Sequence, residues 1–225
     1  MQKDFQLYNK KFLLDSWAYT AFTQNKIINI DEYIDFIKKN KKFIWIYANL
    51  DVIWNWEATL KNQEYMEKKW LNPLPTYHLW SPIEYFKDMV KKYDYIGLWW
   101  MVPYKNKPKK IEQFLDYCFS YILKNWYKTK IHGWGLTNIK LVKKYPFYSI
   151  DSTKWLNGWK YNNFMFFEKN TINQKLAIDM RKKLWIDFAK LTNDEKGIWN
   201  IREYVKYILY VNKLQKAKKM DYYNY

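Results

Sequence analysis

The sequence predicts an α/β protein built as a (β/α) barrel of the TIM type, with six or seven recognisable strands, followed by C-terminal helices. Short apolar, β-branched or aromatic runs alternate with amphipathic stretches of helical period, a pattern typical of parallel strands joined by crossover helices. Polar residues follow several of these runs directly, at the end where barrel enzymes carry their chemistry. A chain of 225 residues is also long enough for one domain with a large core.

The candidate strands share short length and side chains that suit a pleated sheet. They lie at residues 12–15, 43–50, 76–79, 95–98, 130–134, 147–150 and 162–167. A closed barrel of this type has eight strands. We therefore expect either an incomplete barrel or first strands that precede Met1.

The candidate helices occupy the stretches between the strands and the C-terminal part. They lie at residues 31–40, 57–69, 81–92, 108–126, 138–145, 178–191 and 198–214. Asp31 is the expected N-cap of the first of these helices, and Ser81 followed by Pro82 is the expected start of the third. We predict a barrel domain over residues 1–170 and a helical segment over 171–225 that packs on it.

The net charge of +17 suits a polyanionic partner such as nucleic acid. Among the 39 basic residues only Arg181 and Arg202 are arginine, and a genome rich in A and T would produce the same lysine bias. Both explanations stay open. No run of eighteen apolar residues and no secretion signal occurs, which predicts a cytoplasmic protein without a membrane partner.

The cysteine count limits the metal chemistry. Cys118 is the only cysteine, so an internal disulfide and a multi-cysteine zinc site are excluded. Its helical apolar surroundings predict a core residue. A metal bound by His78 and His132 is less expected than histidines hydrogen-bonded under a barrel rim, since their spacing matches no metal motif. We predict no metal and no cofactor.

Six motifs occur in a fixed order along the chain. They are LLDSWAY, YANLD, LPTYH, IGLWWMVP, HGWGLT and YSIDSTKW. Together they resemble the tRNA-guanine transglycosylase superfamily, and most closely the short phage-type proteins similar to queuine tRNA-ribosyltransferases and to DNA 7-deazaguanine transglycosylases. The resemblance covers about residues 12–156. It implies a (β/α) barrel that exchanges guanine for a 7-deazaguanine through a covalent glycosyl-enzyme.

The resemblance also implies roles for individual residues. Asp151 would attack the sugar, Asp15 would act as acid and base, and Asp51 would read the purine edge. The residues expected to line the substrate site, without firm roles for the serines and histidines, are Ser16, His78, Leu98, Trp99, Trp100, Met101, His132 and Ser152. Carboxylates suit this chemistry because N-glycosidic cleavage develops positive charge on the sugar.

The polymer, the incoming base and the oligomeric state stay open. Full-length tRNA enzymes of this superfamily carry a zinc subdomain with three cysteines, which one cysteine cannot build, so DNA and tRNA are both candidate partners. Two other functions also remain: a hydrolytic nucleoside or DNA glycosidase, and a non-catalytic nucleic-acid-binding barrel with a filled pocket.

Tryptophan stands where the resembled family carries glycine. The six positions are Trp17, Trp54, Trp70, Trp80, Trp99 and Trp100. An average chain of this length holds about 16 glycines, whereas this chain has 5 glycines and 14 tryptophans. A host that reads UGA as glycine would explain the exchange, if the gene were translated with the commoner table that reads UGA as tryptophan.

Overall fold

The computed structural model describes residues 12–99, 106–136, 138–151, 163–169, 171–176 and 190–223. It shows a mixed α/β chain with parallel strands and helices between them, which confirms the α/β class. The chain forms two compact units, residues 1–100 and 101–225. The domain boundary predicted near residue 170 stays a prediction. Within the described segments, no helix is both long and apolar enough to span a bilayer.

The first unit alternates strands and helices along its length. Its elements are β1 (Phe12–Leu14), α1 (Ala18–Thr23), α2 (Ile30–Asn40), β2 (Ile44–Tyr47), α3 (Trp56–Lys68), β3 (Thr76–His78), α4 (Ile83–Lys92) and β4 (Tyr95–Trp99). All four predicted strands of this unit are present. The short helix α1 was not predicted, because six residues are too few to show a helical period.

Consecutive strands of the first unit run parallel and pair with their neighbours in sequence. β1 pairs with β2, and β3 pairs with β4. A parallel bridge between Ala48 and Leu74 continues the pairing from β2 to β3. The carboxyl ends of these strands therefore lie at one edge, which places the loops that follow them side by side.

The core of the first unit lies between α2, α3 and the strands. Ile34 and Ile37 of α2 pack with Met66 of α3 and Leu50 in one buried cluster. Ile34 and Ile37 lie three positions apart, so α2 turns one apolar stripe inward.

The N-caps differ from the expected ones. Asn29, not Asp31, caps α2, because its side chain accepts hydrogen bonds from the backbone N–H groups of Asp31 and Glu32. Asp31 lies in the first turn, where a carboxylate interacts well with the helix dipole. Ser81 does not cap α4: Pro82 occupies that position without a side-chain cap, and Ser81 closes a turn with His78.

The second unit begins with the same alternation and ends differently. Its elements are α5 (Pro108–Lys124), β5 (Lys130–Gly133), α6 (Ile139–Lys144), β6 (Ser149–Ile150), β7 (Asn163–Glu168), β8 (Thr171–Leu176) and α7 (Asn193–Tyr223). β5 and β6 are parallel, whereas β7 and β8 form an antiparallel hairpin. Most of the helix predicted at 178–191 lies outside the described residues, and β8 was not predicted.

Helix α7 covers the outer edge of the hairpin. The backbone N–H groups of Met165 and Phe167 on β7 donate to the side chains of Asn200 and Glu203, at 2.9 and 2.8 Å. The Trp199 indole donates to the Met165 carbonyl at 3.1 Å. Polar groups of one helix thus satisfy a strand edge that would otherwise be open to pairing.

Candidate functional site

The loop after β2 holds Asp51 through contacts with α3. Asn49 is fully buried and donates its side-chain amide to the Thr59 carbonyl at 2.9 Å. The Thr59 hydroxyl accepts from the Val52 backbone N–H at 2.9 Å, and the Asn62 amide donates to the Leu50 carbonyl at 2.8 Å. Three hydrogen bonds between this loop and residues of α3 therefore fix the chain on both sides of Asp51.

Asp51 lies beside the buried ring of His78 at the end of β3. Its Oδ2 is 3.6 Å from His78 Nε2, which is too long for a direct hydrogen bond. In the described part of the chain, neither His78 ring nitrogen nor Asp51 Oδ1 has a hydrogen-bond partner, although all three atoms are buried. Buried polar atoms without partners are rare and point to a place where a ligand or water belongs.

Asp15 and Asp51 both influence Tyr33 of α2. Burial raises the pKa of the Tyr33 phenol well above its ordinary value, and the nearby carboxylates of Asp15 and Asp51 raise it further. The phenol donates to the Ala48 carbonyl at 2.9 Å. The two acidic strand ends predicted for this unit thus lie within electrostatic reach of one tyrosine. Asp15 also accepts from the Trp17 backbone N–H at 3.3 Å.

Tryptophan rings surround the His78 imidazole. Trp80 stacks on it with ring centres 4.8 Å apart, and Trp99 contacts it edge-on at 5.6 Å. Trp54 lies against Trp80 at 4.5 Å. Trp99 is the register partner of His78 in the β3–β4 pair. The predicted substrate residues His78 and Trp99 are therefore brought together, and indoles occupy the space around the histidine.

Two further predicted residues of the first unit are buried side chains. Leu98 is fully buried in the core, and Ser16 is buried at the end of β1. A cavity of about 240 Å³ borders Asp51 on another side, between α1 and the loop after β2. Trp100, Met101 and Ser152 lie outside the described residues.

The second unit repeats the pairing of a carboxylate with a buried histidine. Asp151 follows β6, and its Oδ1 lies 3.5 Å from Nε2 of His132 on the neighbouring strand β5. The Gly135 backbone N–H donates to the same carboxylate oxygen. Gly135 has a left-handed φ of 60°, which a glycine adopts without strain, and this conformation turns its N–H toward Asp151.

Ser149 orients the second histidine. Its hydroxyl shares a hydrogen bond with His132 Nδ1, and the two residues are register partners on β5 and β6. When the hydroxyl donates to Nδ1, the ring proton lies on Nε2, the atom that faces Asp151. The Asp151 side chain remains 35% exposed, so it is positioned and still reachable.

A cavity of about 360 Å³ adjoins Asp151. Its walls are mainly apolar and come from β6, Leu136 and the face of α7 that carries Ile201, Tyr204 and Ile208. This volume falls in the range of small-ligand sites. Among the described residues of its lining, Asp151 is the one charged side chain.

Several residues that position the site were not found from the sequence. Ser149 could have been found, because residues two apart on a strand share a face and it lies two before Asp151. Thr59 and Tyr33 gave no signal, since helical threonines and tyrosines are common. Among the described residues, no group of three acidic, histidine or cysteine side chains could hold a metal ion.

Comparison with known proteins adds no relative. No protein-family model matches the chain, and neither a curated protein nor a solved structure matches it.

Proposed function

We propose that the chain is a base-exchange glycosyltransferase that replaces guanine by a 7-deazaguanine in nucleic acid, either DNA or tRNA, through a covalent bond between Asp151 and the sugar. The observation that carries the proposal is the setting of Asp151. The Gly135 N–H holds its carboxylate at the end of a parallel strand, 3.5 Å from the His132 ring and partly exposed to solvent, beside a cavity.

The reaction needs two displacements at the sugar. An Asp151 oxygen attacks C1′ while the bond from C1′ to guanine breaks, and its electron pair leaves with the base. An acid protonates the departing guanine, a role that the family resemblance gives to Asp15. Asp15, now a carboxylate, takes a proton from the incoming deazaguanine, which attacks C1′ and releases the Asp151 carboxylate. The Gly135 N–H stabilises that carboxylate before and after the bond exists.

Asp51 is the proposed reader of the base. Its Oδ1 atom is buried and has no hydrogen-bond partner within the described part of the chain, so it can accept from the ring N–H or amino group of guanine. Such a charge-assisted bond is stronger than a neutral one. His78 lies next to it and can donate to a carbonyl oxygen of the same base.

The strand pairing supports a (β/α) barrel as the fold of this enzyme. In the first unit each strand pairs with the next strand of the sequence, and β5 pairs in parallel with β6 in the second. Barrels require this succession, whereas doubly wound sheets reverse their strand order at a switch point.

A second candidate is a nucleic-acid-binding barrel without catalysis. The rings of Trp54, Trp80 and Trp99 fill the surroundings of His78, and exposed indoles offer stacking surfaces for bases. For this candidate the rings fill the base pocket, and the expected result is weak base exchange or none. Substituting glycine at Trp80 and Trp99 should then raise deazaguanine incorporation. Equal incorporation by this variant and the parent chain would argue against a filled pocket.

The main test is covalent trapping. The chain is incubated with a labelled guanine-containing DNA or tRNA and a deazaguanine, and the protein–polymer adduct is separated under denaturing conditions. Asp151→Asn should abolish the adduct, because an amide cannot form the glycosyl ester. Asp88→Asn is the matched control, since Asp88 is an exposed carboxylate on α4 that pairs with Lys91 at 3.4 Å.

The outcomes separate the three functions. An adduct that depends on Asp151 and yields incorporated deazaguanine supports base exchange. Free guanine without incorporation indicates a hydrolytic nucleoside or DNA glycosidase. Salt-sensitive binding without turnover indicates the binding module. Trapping that persists in Asp151→Asn shows that another residue is the nucleophile.

A further inference from the structure

Four tryptophans adopt a backbone conformation that suits glycine. The φ angles are 57° at Trp17, 68° at Trp54, 62° at Trp70 and 58° at Trp126. A side chain with a Cβ is sterically disfavoured in this left-handed region, and a bulky one is an outlier there. Glycine adopts it freely. In the described segments, the other left-handed residues are Gly135, Asn25 and Lys169.

Two of these tryptophans end helices at the position where glycine is most common. After α3, Trp70 N donates to the Glu67 carbonyl at 2.9 Å and Leu71 N to the Met66 carbonyl at 3.2 Å. These are the two bonds of a Schellman motif, whose left-handed residue is usually glycine and sometimes asparagine.

Helix α5 ends in the same geometry. Trp126 N donates to the Leu123 carbonyl at 3.2 Å, and Tyr127 N donates to the Ile122 carbonyl at 3.0 Å. Helix α1 ends in this way too, with Asn25 as the left-handed residue. The helix ends, rather than the indoles, therefore impose the positive φ.

Burial of the indoles does little to offset this strain. Trp70 is 94% exposed and Trp126 is 77% exposed. Trp199 behaves as an ordinary tryptophan instead: it lies in helix α7, packs on Phe166 and donates its indole N–H to a carbonyl. The chain thus contains two kinds of tryptophan position: one has ordinary backbone angles, and the other has the left-handed φ that glycine adopts most easily.

We propose that the protein made in its host carries glycine at positions 17, 54, 70 and 126, inserted at UGA codons. The composition agrees, since 14 tryptophans accompany 5 glycines. Position 126 is an independent observation, because the family resemblance did not single it out. The proposal goes beyond the proposed function and stands without it. Glycine at position 54 would also uncover Trp80 and widen access to the pair of Asp51 and His78.

Stability measurements test the proposal on the full chain. Trp70→Gly and Trp126→Gly should each raise the folding equilibrium constant by roughly five- to tenfold, and the double variant by about the product of the two. Urea unfolding is followed by far-ultraviolet circular dichroism, because removing indoles alters fluorescence. If the parent chain does not fold and the double variant does, that result supports the proposal equally.

Trp45→Gly is the matched control. Trp45 is 64% exposed but lies in strand β2, where glycine weakens the structure. This variant should be less stable than the parent. The proposal is overturned if Trp70→Gly and Trp126→Gly are no more stable than the parent. It is also overturned if Trp45→Gly gains as much stability, since the gain would then come from removing any exposed indole.

Peptide sequencing by mass spectrometry tests the residue identity directly. The protein is purified from the organism that encodes it, and peptides that cover positions 70, 126 and 199 are compared. We expect glycine at 70 and 126 and tryptophan at 199. Tryptophan at 70 and 126 in that protein would overturn the proposal whatever the stability results.

Discussion

Thr59 joins helix α3 to the loop that carries Asp51. Its hydroxyl accepts from the Val52 N–H at 2.9 Å and lies 3.1 Å from the Asn55 carbonyl, to which it donates. Thr59 is fully buried, so water cannot replace these bonds. At the scale of single residues, the position of Asp51 therefore depends on a threonine eight residues later in the sequence.

Thr59→Val should lower the free energy of unfolding by about 1–3 kcal/mol, because the Val52 N–H loses its acceptor while the side-chain shape is kept. Thr23→Val is the control: the Thr23 hydroxyl bonds to the Thr20 carbonyl at an exposed site, and its loss should change stability by less than about 0.5 kcal/mol. Urea unfolding measures both. Equal effects would show that the loop does not depend on this hydroxyl.

The Glu67 carboxylate links helix α3 to the end of α4. It accepts hydrogen bonds from Lys92 at 2.9 Å and from Tyr93 at 2.7 Å. Burial opposes ionisation of Glu67, but the hydrogen bonds from Lys92, Tyr93 and Gln63 outweigh it and hold the pKa below the ordinary 4.5. At the scale of elements, one partly buried carboxylate connects two helices that flank β3.

Acid should weaken this link. Because the pKa of folded Glu67 is lowered, its contribution to stability is present above pH 4.5 and is lost as the pH falls through the folded pKa. Glu67→Gln should be less stable than the parent by roughly 1 kcal/mol at neutral pH, and the gap should close on acidification. Unfolding curves between neutral and acidic pH measure it.

The same substitution in a Lys92→Met background controls for the partner. In that background, the difference in unfolding free energy between glutamate and glutamine at position 67 should be smaller at neutral pH. The reason is that one of the hydrogen bonds that lower the Glu67 pKa is gone. A gap that does not change with pH in the parent background would contradict this account of Glu67.

The charge of the chain acts at the scale of the whole molecule. A net charge of +17 attracts polyanions, and neutralising phosphates releases bound counterions. We expect binding to both duplex and single-stranded DNA, with an affinity that falls by about a thousandfold between roughly 50 and 200 mM salt if some six phosphates are contacted. Fluorescence anisotropy at several salt concentrations measures the slope.

Polyglutamate is the control ligand for this prediction. It carries negative charge without bases, so competition by polyglutamate as strong as that by unlabelled DNA would mean that charge alone drives binding. Affinity for DNA that does not change with salt would contradict a phosphate-contacting surface and would favour the compositional explanation of the lysine excess.

The sequence by itself determined the order of the strands and helices and the polar residues at the strand ends. These features follow from local period and local chemistry. Seven of the eight strands in the described residues were predicted to within a few residues, and β6 is shorter than predicted. The hairpin strand β8 was missed, although its residues alternate, because polar side chains dominate it.

Only the tertiary structure decided which groups meet. It set Ser149 against His132, joined Thr59 to Val52, and laid the polar groups of α7 along β7. It also gave Trp126 the backbone of a glycine. The physical reason is that partners such as Ser149 and His132, or Glu203 and Phe167, come from different elements, and no local pattern of residues records which elements pack together. The left-handed φ of Trp126 follows from the hydrogen bonds that end α5, and a tryptophan in the sequence gives no sign of such an ending.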